Sequence, residues 1–353
     1  MLLSKNQPVR VSLPTETHNS KEEFELGVPS SADISKTEAA TRAPLARIDE
    51  HWLDLPDGRM RYLKAGSGPP LILVHGLLGY SFSWRFTIPA LAPHATVYAI
   101  DNLGAGLSTA NKSVDCTLRA TAERVLQFAD AVGIRDFDLL GTSHGGGVAI
   151  MVAVICSERA EKEKAEKNNA EHDVRLKRLV LVAPINPWSP HGKRLAPFAG
   201  SPLGSLLVCN TVGRWRSLDY LWLSRMFGDT AKIPADSLDG YRIPVIKNNA
   251  FRHGIRIVKN WTYDLAELRE SLPKIRNYPT LLLWGTKDGA VHFKSAEPLR
   301  QNFCNANLIA FEGVGHLPYE EAPGEFNRAL IGFLTSDTGS QSAISCQTPS
   351  AEN

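Results

Sequence analysis

No run in this chain approaches the ~18 consecutive apolar residues that cross a bilayer. Its charge has no dominant sign either: 39 Lys and Arg face 37 Asp and Glu, a net +2 at pH 7. The first shortage argues against stable membrane insertion, and with the second nothing argues for a nucleic-acid partner or an anionic membrane. Cysteine is scarce. The five (Cys116, Cys156, Cys209, Cys304, Cys346) are scattered and odd in number, without Cys-x-x-Cys spacing, so they read as reduced thiols rather than a disulfide frame or a metal site. Met1-Leu2-Leu3-Ser4-Lys5 begins no apolar stretch long enough for a secretory signal. A cytoplasmic location is the resulting expectation.

What is present is ordinary globular material. The 353 residues are 43% hydrophobic and 22% charged, enough for one large domain with an insertion or for two modest ones. Residues 1–45 and 336–353 are polar and aperiodic, and are expected to be disordered tails that bury too little to offset chain entropy. Between them, His51–Gly58 and Arg59–Gly66 alternate about an Asp-Gly pair and read as an opening hairpin. Six unbroken apolar runs follow: Leu71–Val74, Thr96–Ile100, Phe137–Leu140, Leu179–Val182, Thr280–Trp284 and Leu308–Phe311. Runs without alternation suit parallel strands covered on both faces, and helical patterns such as Leu118–Ala129 lie between them. The fold class is therefore α/β, with a mostly parallel sheet.

Two stretches break the rhythm. Residues 157–175 are highly charged and read as a solvated helical extension and loop. From 187 to 265 the alternation stops, and aromatic residues appear among prolines and helix-like pieces. That stretch is too long and apolar for a structureless loop, so it is expected to be a helical cap inserted between core segments 46–186 and 266–335.

The chain is organised around Gly141-Thr142-Ser143-His144-Gly145. An apolar run enters this Gly-x-Ser-x-Gly and a small-residue helical stretch, Val148–Cys156, leaves it, which is the context of a nucleophile elbow. A serine hydroxyl needs a general base, and the base needs an orienting carboxylate. Asp288 follows the run ending at Trp284, and His316 follows the run ending at Phe311. The order Ser143, Asp288, His316 is the one this arrangement requires, and the carboxyl ends of parallel strands are where catalytic groups collect. An oxyanion hole is expected from the backbone N–H groups of Leu77, in His75-Gly76-Leu77-Leu78-Gly79, and of His144. His75 itself is expected to hydrogen-bond within its loop.

Together with Asp101-Asn102-Leu103-Gly104-Ala105-Gly106-Leu107-Ser108 and Gly313-Val314-Gly315-His316, these motifs make residues 47–335 resemble the α/β-hydrolase superfamily, in its cap-bearing, serine-nucleophile branch. The resemblance implies an eight-stranded sheet, a Ser143–His316–Asp288 triad, no cofactor or metal, a small-molecule substrate and a lid over the pocket. Haloalkane dehalogenases and epoxide hydrolases of the superfamily have Asp where this chain has Ser143. The remaining expectation is a serine esterase of small to medium, moderately apolar substrates. A C–C bond hydrolase of vinylogous diketones, an acyl transferase and a hydrolase-derived ligand-binding protein stay open. Trp188, Trp222 and Trp261 are expected either in the pocket wall or in the cap's own core. The oligomeric state is left open.

Overall fold

In the computed structural model, residues 47–166, 174–189, 201–211, 215–247 and 250–336 are described. The two expected tails lie outside this set, Ser336 excepted, and so do residues 167–173 of the charged stretch. The chain opens with antiparallel β1 (Ile48–Leu55) and β2 (Gly58–Ala65), paired Leu55 to Gly58 across Pro56-Asp57. Strands β3 (Pro70–Val74), β4 (Thr96–Ile100), β5 (Asp136–Thr142), β6 (Arg175–Val182), β7 (Thr280–Gly285) and β8 (Ala306–Phe311) coincide with the six apolar runs. They form one eight-stranded sheet of order β1-β2-β4-β3-β5-β6-β7-β8, parallel from β4 to β8.

In β3 to β7 those runs need no alternation because both faces are buried, whereas β8, at the sheet edge, leaves Ile309 and Ala310 exposed. Ile72, Val74, Leu139, Leu181 and Trp284 point into one core, with α2 (Leu118–Ala131) and α3 (His144–Glu166). Leu71, Leu73, Leu140, Val182 and Leu283 point into the other, with α1 (Ile88–Leu91) and the C-terminal helix Pro323–Thr335. The strand order reverses between β3 and β5. The loops leaving these two neighbours run to opposite sides and open a crevice at their carboxyl ends.

Helix α3 continues past Cys156 to Glu166, since the added residues are mostly the Ala, Glu and Lys that favour helix. The extension is tied down. Glu158 accepts from Arg119 at 2.9 Å and from Lys274 at 2.7 Å. Between β6 and β7 lie α4 (Pro202–Thr211), α5 (Arg216–Ser224), α6 (Ser237–Lys247) and α7 (Ala250–Ser271), the inserted cap. Helix α7 runs past residue 265, where the cap was expected to end, because Leu265 and Leu268 are already packed into the main core. The thiol expectation needs one correction: Cys116 and Cys156 are free, but Cys304 is disulfide-bonded.

Asp264 joins α7 to α2, accepting the Leu118 N–H at 3.1 Å. Burial pushes its carboxyl from an ordinary 3.8 up to about 7, against the lowering effect of that N–H; Glu267 and Asp115 add to the rise. The native state therefore holds a proton that the unfolded chain releases near its ordinary value. This contribution to stability is intact below that value and is lost as pH rises through about 7. Asp264→Asn keeps an acceptor for the Leu118 amide with no charge to bury. Its melting-temperature advantage over wild type should be larger at about pH 8 than at about pH 5 by about 2–4 °C, the effect of about 1 kcal/mol in a chain this long. Equal gaps at both pH values would reject ionisation as the cause.

Candidate active site

Ser143 stands alone between the end of β5 at Thr142 and the start of α3 at His144. Its φ is 53°, in the left-handed region where a side chain is strained. Four backbone bonds hold it there: its N–H donates to Val182 O at 2.9 Å, and its carbonyl accepts from Gly146 and Ile185 at 3.0 Å each and from Gly147 at 3.2 Å. The flanking glycines have a steric cause. A Cβ on Gly145 would stand 2.3 Å from His75 O, and one on Gly141 would stand 2.2 Å from Gly145 O. The first turn of α3 thus packs directly on the end of β3, and the serine hydroxyl faces the crevice.

Asp288, just past β7, is fully buried and splits its carboxylate between two tasks. Oδ1 accepts the Ala290 and Val291 N–H groups at 2.8 Å each, and Oδ2 lies 2.7 Å from His316 Nδ1. The carboxylate favours the proton on Nδ1, which leaves Nε2 as an acceptor. Ser143 and His316 line the same cavity. No hydrogen bond joins Ser143 Oγ to His316 Nε2, as is common before substrate binds.

The His316 loop is held by residues that sequence reasoning passed over. The His316 N–H donates to Met226 O at 2.6 Å. The buried Glu321 carboxylate accepts from Gly315 at 2.7 Å, Gly228 at 2.9 Å and Asp229 at 2.8 Å. A Cβ on Gly315 would stand 2.4 Å from Met226 O, so this glycine permits the close approach. The cap segment 226–229 and the His316 loop therefore form one unit. Next to it, Glu320 pairs with Arg85 at 3.0 Å and accepts from Ser237 at 2.9 Å and from Tyr241. Burial, then the Glu320 charge, raise the Tyr241 phenol well above its usual range. The only sequence signal for this region was a pair of acids shortly after the histidine.

Across the crevice, Gly79 N–H donates to Gly76 O at 3.0 Å, closing a turn with Leu78 at φ 60°. The turn leaves the Leu77 N–H without an acceptor, and the first helical N–H, that of His144, has none either. A Cβ on Gly76 would lie 3.1 Å from Ser143 Cβ, so this turn runs beside the serine. The other two imidazoles near Ser143 are poor bases. His75 Nε2 accepts the Asn102 N–H at 3.0 Å, which leaves Nδ1–H for Gly76 O at 2.8 Å. Burial lowers its pKa. His144 is also buried, beside the Trp261 ring, and desolvation pushes it down to about 3.

The cavity above Ser143 measures about 400 Å³. Leu77, Leu78, Leu223, Val258 and Trp261 give it mostly apolar walls, as small-molecule sites generally have. Trp222 also lines it, and Trp188 does not. Trp188 packs against the main core instead, because the Asn186 side chain accepts its N–H at 3.0 Å and turns the chain away from the cavity. Among the described residues, no group of three or more His, Cys, Asp or Glu is placed to hold a metal, and no helix is long and apolar enough to cross a membrane.

Residues 71–329 match a family model described as the alpha/beta hydrolase family. Haloalkane dehalogenase 2 of Mycobacterium tuberculosis is 28% identical over 297 residues, covering 80% of this chain and 94% of that protein. Among solved structures, the epoxide hydrolase CorEH superposes with a TM-score of 0.67 at 22% identity, over 81% of this chain and 98% of that one. A membrane phospholipase A described as a bacterial virulence factor superposes with a TM-score of 0.65 at 25% identity, over 86% and 89%.

Proposed function

This chain belongs to the alpha/beta hydrolase family, and on that premise we propose that it is a serine hydrolase cleaving carboxylic esters of small to medium, moderately apolar substrates. One observation carries the reading. A strained serine at φ 53° shares its apolar cavity with a histidine whose far nitrogen lies 2.7 Å from a buried carboxylate. In this mechanism His316 Nε2 takes the Ser143 proton as Oγ attacks the acyl carbon. Asp288 keeps the imidazole in the required tautomer and stabilises its charge. The Leu77 and His144 amides receive the oxyanion, each contributing on the order of 10²–10³ in rate. His316 then protonates the leaving alcohol, and water repeats the cycle on the acyl-enzyme.

The bond cleaved follows from the nucleophile. Serine attack on the saturated carbon of an alkyl halide or epoxide would leave an ether, which water does not cleave under these conditions. Attack on an acyl carbon leaves an ester, which it does. The haloalkane dehalogenase and epoxide hydrolase activities named for the relatives are therefore not carried over to Ser143.

A para-nitrophenyl ester series from acetate to decanoate, run beside a serine-reactive phosphonate, tests the reading. Turnover with an optimum at intermediate chain length, and phosphonate label on Ser143, are expected. A folded protein that neither turns over any ester nor takes the label would sink it. Label without ester turnover would move the reading to C–C bond cleavage or to ligand binding.

A further inference from the structure

Ten of the twelve exposed large hydrophobic residues among the described residues lie on the cap. Helix α5 is the clearest case. At about 100° per residue, Trp215, Leu218, Leu221 and Trp222 fall on roughly one third of its circumference, the stripe that an ordinary surface helix turns inward. Here all four are exposed, Trp215 at 59% and Trp222 at 45%, while the buried positions are Leu223 and Asp219, the latter paired with Arg242 at 2.7 Å. On α4, Leu203, Leu206 and Leu207 share a face and are exposed as well. Helix α4 packs on α7, and α5 packs on α6.

Charge selects the occupant. Residues 187–265 hold eleven Lys and Arg against five Asp and no Glu, a net +6. The whole chain is only +2, so the remainder carries −4. Arg252 and Lys259 are exposed on α7 with no ion pair. The near-zero total thus hides a basic cap: core segments 46–186 and 266–335 together carry only −1, and residues 1–45 and 336–353 carry the other −3.

The apolar stripe also leads inward. Leu218 and Trp222 line a second cavity of about 90 Å³, which shares Leu78, Trp222, Leu223 and Tyr241 with the cavity above Ser143. An acyl chain leaving the cap surface passes along apolar walls to the serine. A docked protein would have no use for such a path, and a second copy of this chain would meet the cap with like charge.

We propose that the α4–α5 face of the cap docks on a bilayer containing anionic phospholipid. Its leucines and tryptophans enter the interface and the cap's basic residues meet the headgroups. The surface also delivers acyl substrates to Ser143, a clause that rests on the serine-hydrolase reading.

Vesicle co-sedimentation of the full chain tests the docking without any turnover. Equimolar phosphatidylcholine and phosphatidylglycerol vesicles should bind it at least about tenfold more tightly than phosphatidylcholine alone, and Arg252→Gln with Lys259→Gln should remove roughly tenfold of that preference. Leu206→Glu with Leu221→Glu, away from both cavities, should abolish sedimentation. It should leave para-nitrophenyl acetate turnover unchanged and lower turnover of a decanoate ester carried in the vesicles. Sedimentation with neither vesicle, sedimentation unaffected by the two glutamates, or a dimer that those glutamates dissociate would each overturn the proposal. If the protein sediments as expected but hydrolyses no ester, the docking stands and the hydrolase reading fails.

Discussion

Ser143→Ala is expected to lower kcat on the preferred ester by roughly 10⁵–10⁶-fold while leaving the fold intact. In the proposed mechanism the loss is large because the substitution removes the atom that forms the acyl-enzyme. His316 and Asp288 act as one unit with Oγ and contribute little once it is gone, and the residual rate comes from the two amides and from binding. The fold should survive because the hydroxyl has no hydrogen-bond partner among the described residues, and the bonds that hold position 143 come from its backbone. Alanine keeps the Cβ and therefore the same strain at φ 53°. Initial rates on the para-nitrophenyl esters, with circular dichroism and melting of both proteins, are the check. Residual turnover within a hundredfold of wild type would mean that another group attacks the substrate.

Asp288→Asn should cost about 10⁴-fold in kcat, again without unfolding. The reason lies in how the carboxylate is divided. The Ala290 and Val291 N–H groups both point at Oδ1, so an asparagine will keep its carbonyl oxygen there. That turns the Nδ2 donor towards His316 Nδ1, where Oδ2 now lies at 2.7 Å. A donor facing Nδ1 moves the imidazole proton to Nε2, the atom that must accept from Ser143. The histidine is then present, in place and in the wrong tautomer. A loss of less than about tenfold at neutral pH would remove Asp288 from the mechanism and make it a loop anchor alone.

Most of the scaffold was legible because its causes are local. An apolar run of four or five residues without alternation suits a buried parallel strand, and all six such runs are strands of the sheet, with β8 the exposed edge. Gly141 is required by a local contact at 2.2 Å with Gly145 O, and Gly145 by His75 O at 2.3 Å, which is distant in sequence; both were legible because Gly-x-Ser-x-Gly is written in consecutive residues. The order of serine, acid and histidine could be read for a related reason. Each follows a strand, and strand ends of a parallel sheet gather on one edge. Helix ends were less legible. Helix α7 runs on past residue 265, where the cap was expected to end, because Leu265 and Leu268 pack into the main core.

The sequence by itself determined the layered α/β architecture, the cap as an insertion, and the strand-end positions of Ser143, Asp288 and His316. All of these follow from patterns within a few residues of each other. Only the tertiary structure decided that Met226 and Glu321 hold the His316 loop, that Trp188 faces the core rather than the cavity, and that the apolar stripe of α5 faces outward. Periodicity says which side chains share a face of a helix. It carries no information on which way that face points, because direction is settled by packing against residues far away in the chain.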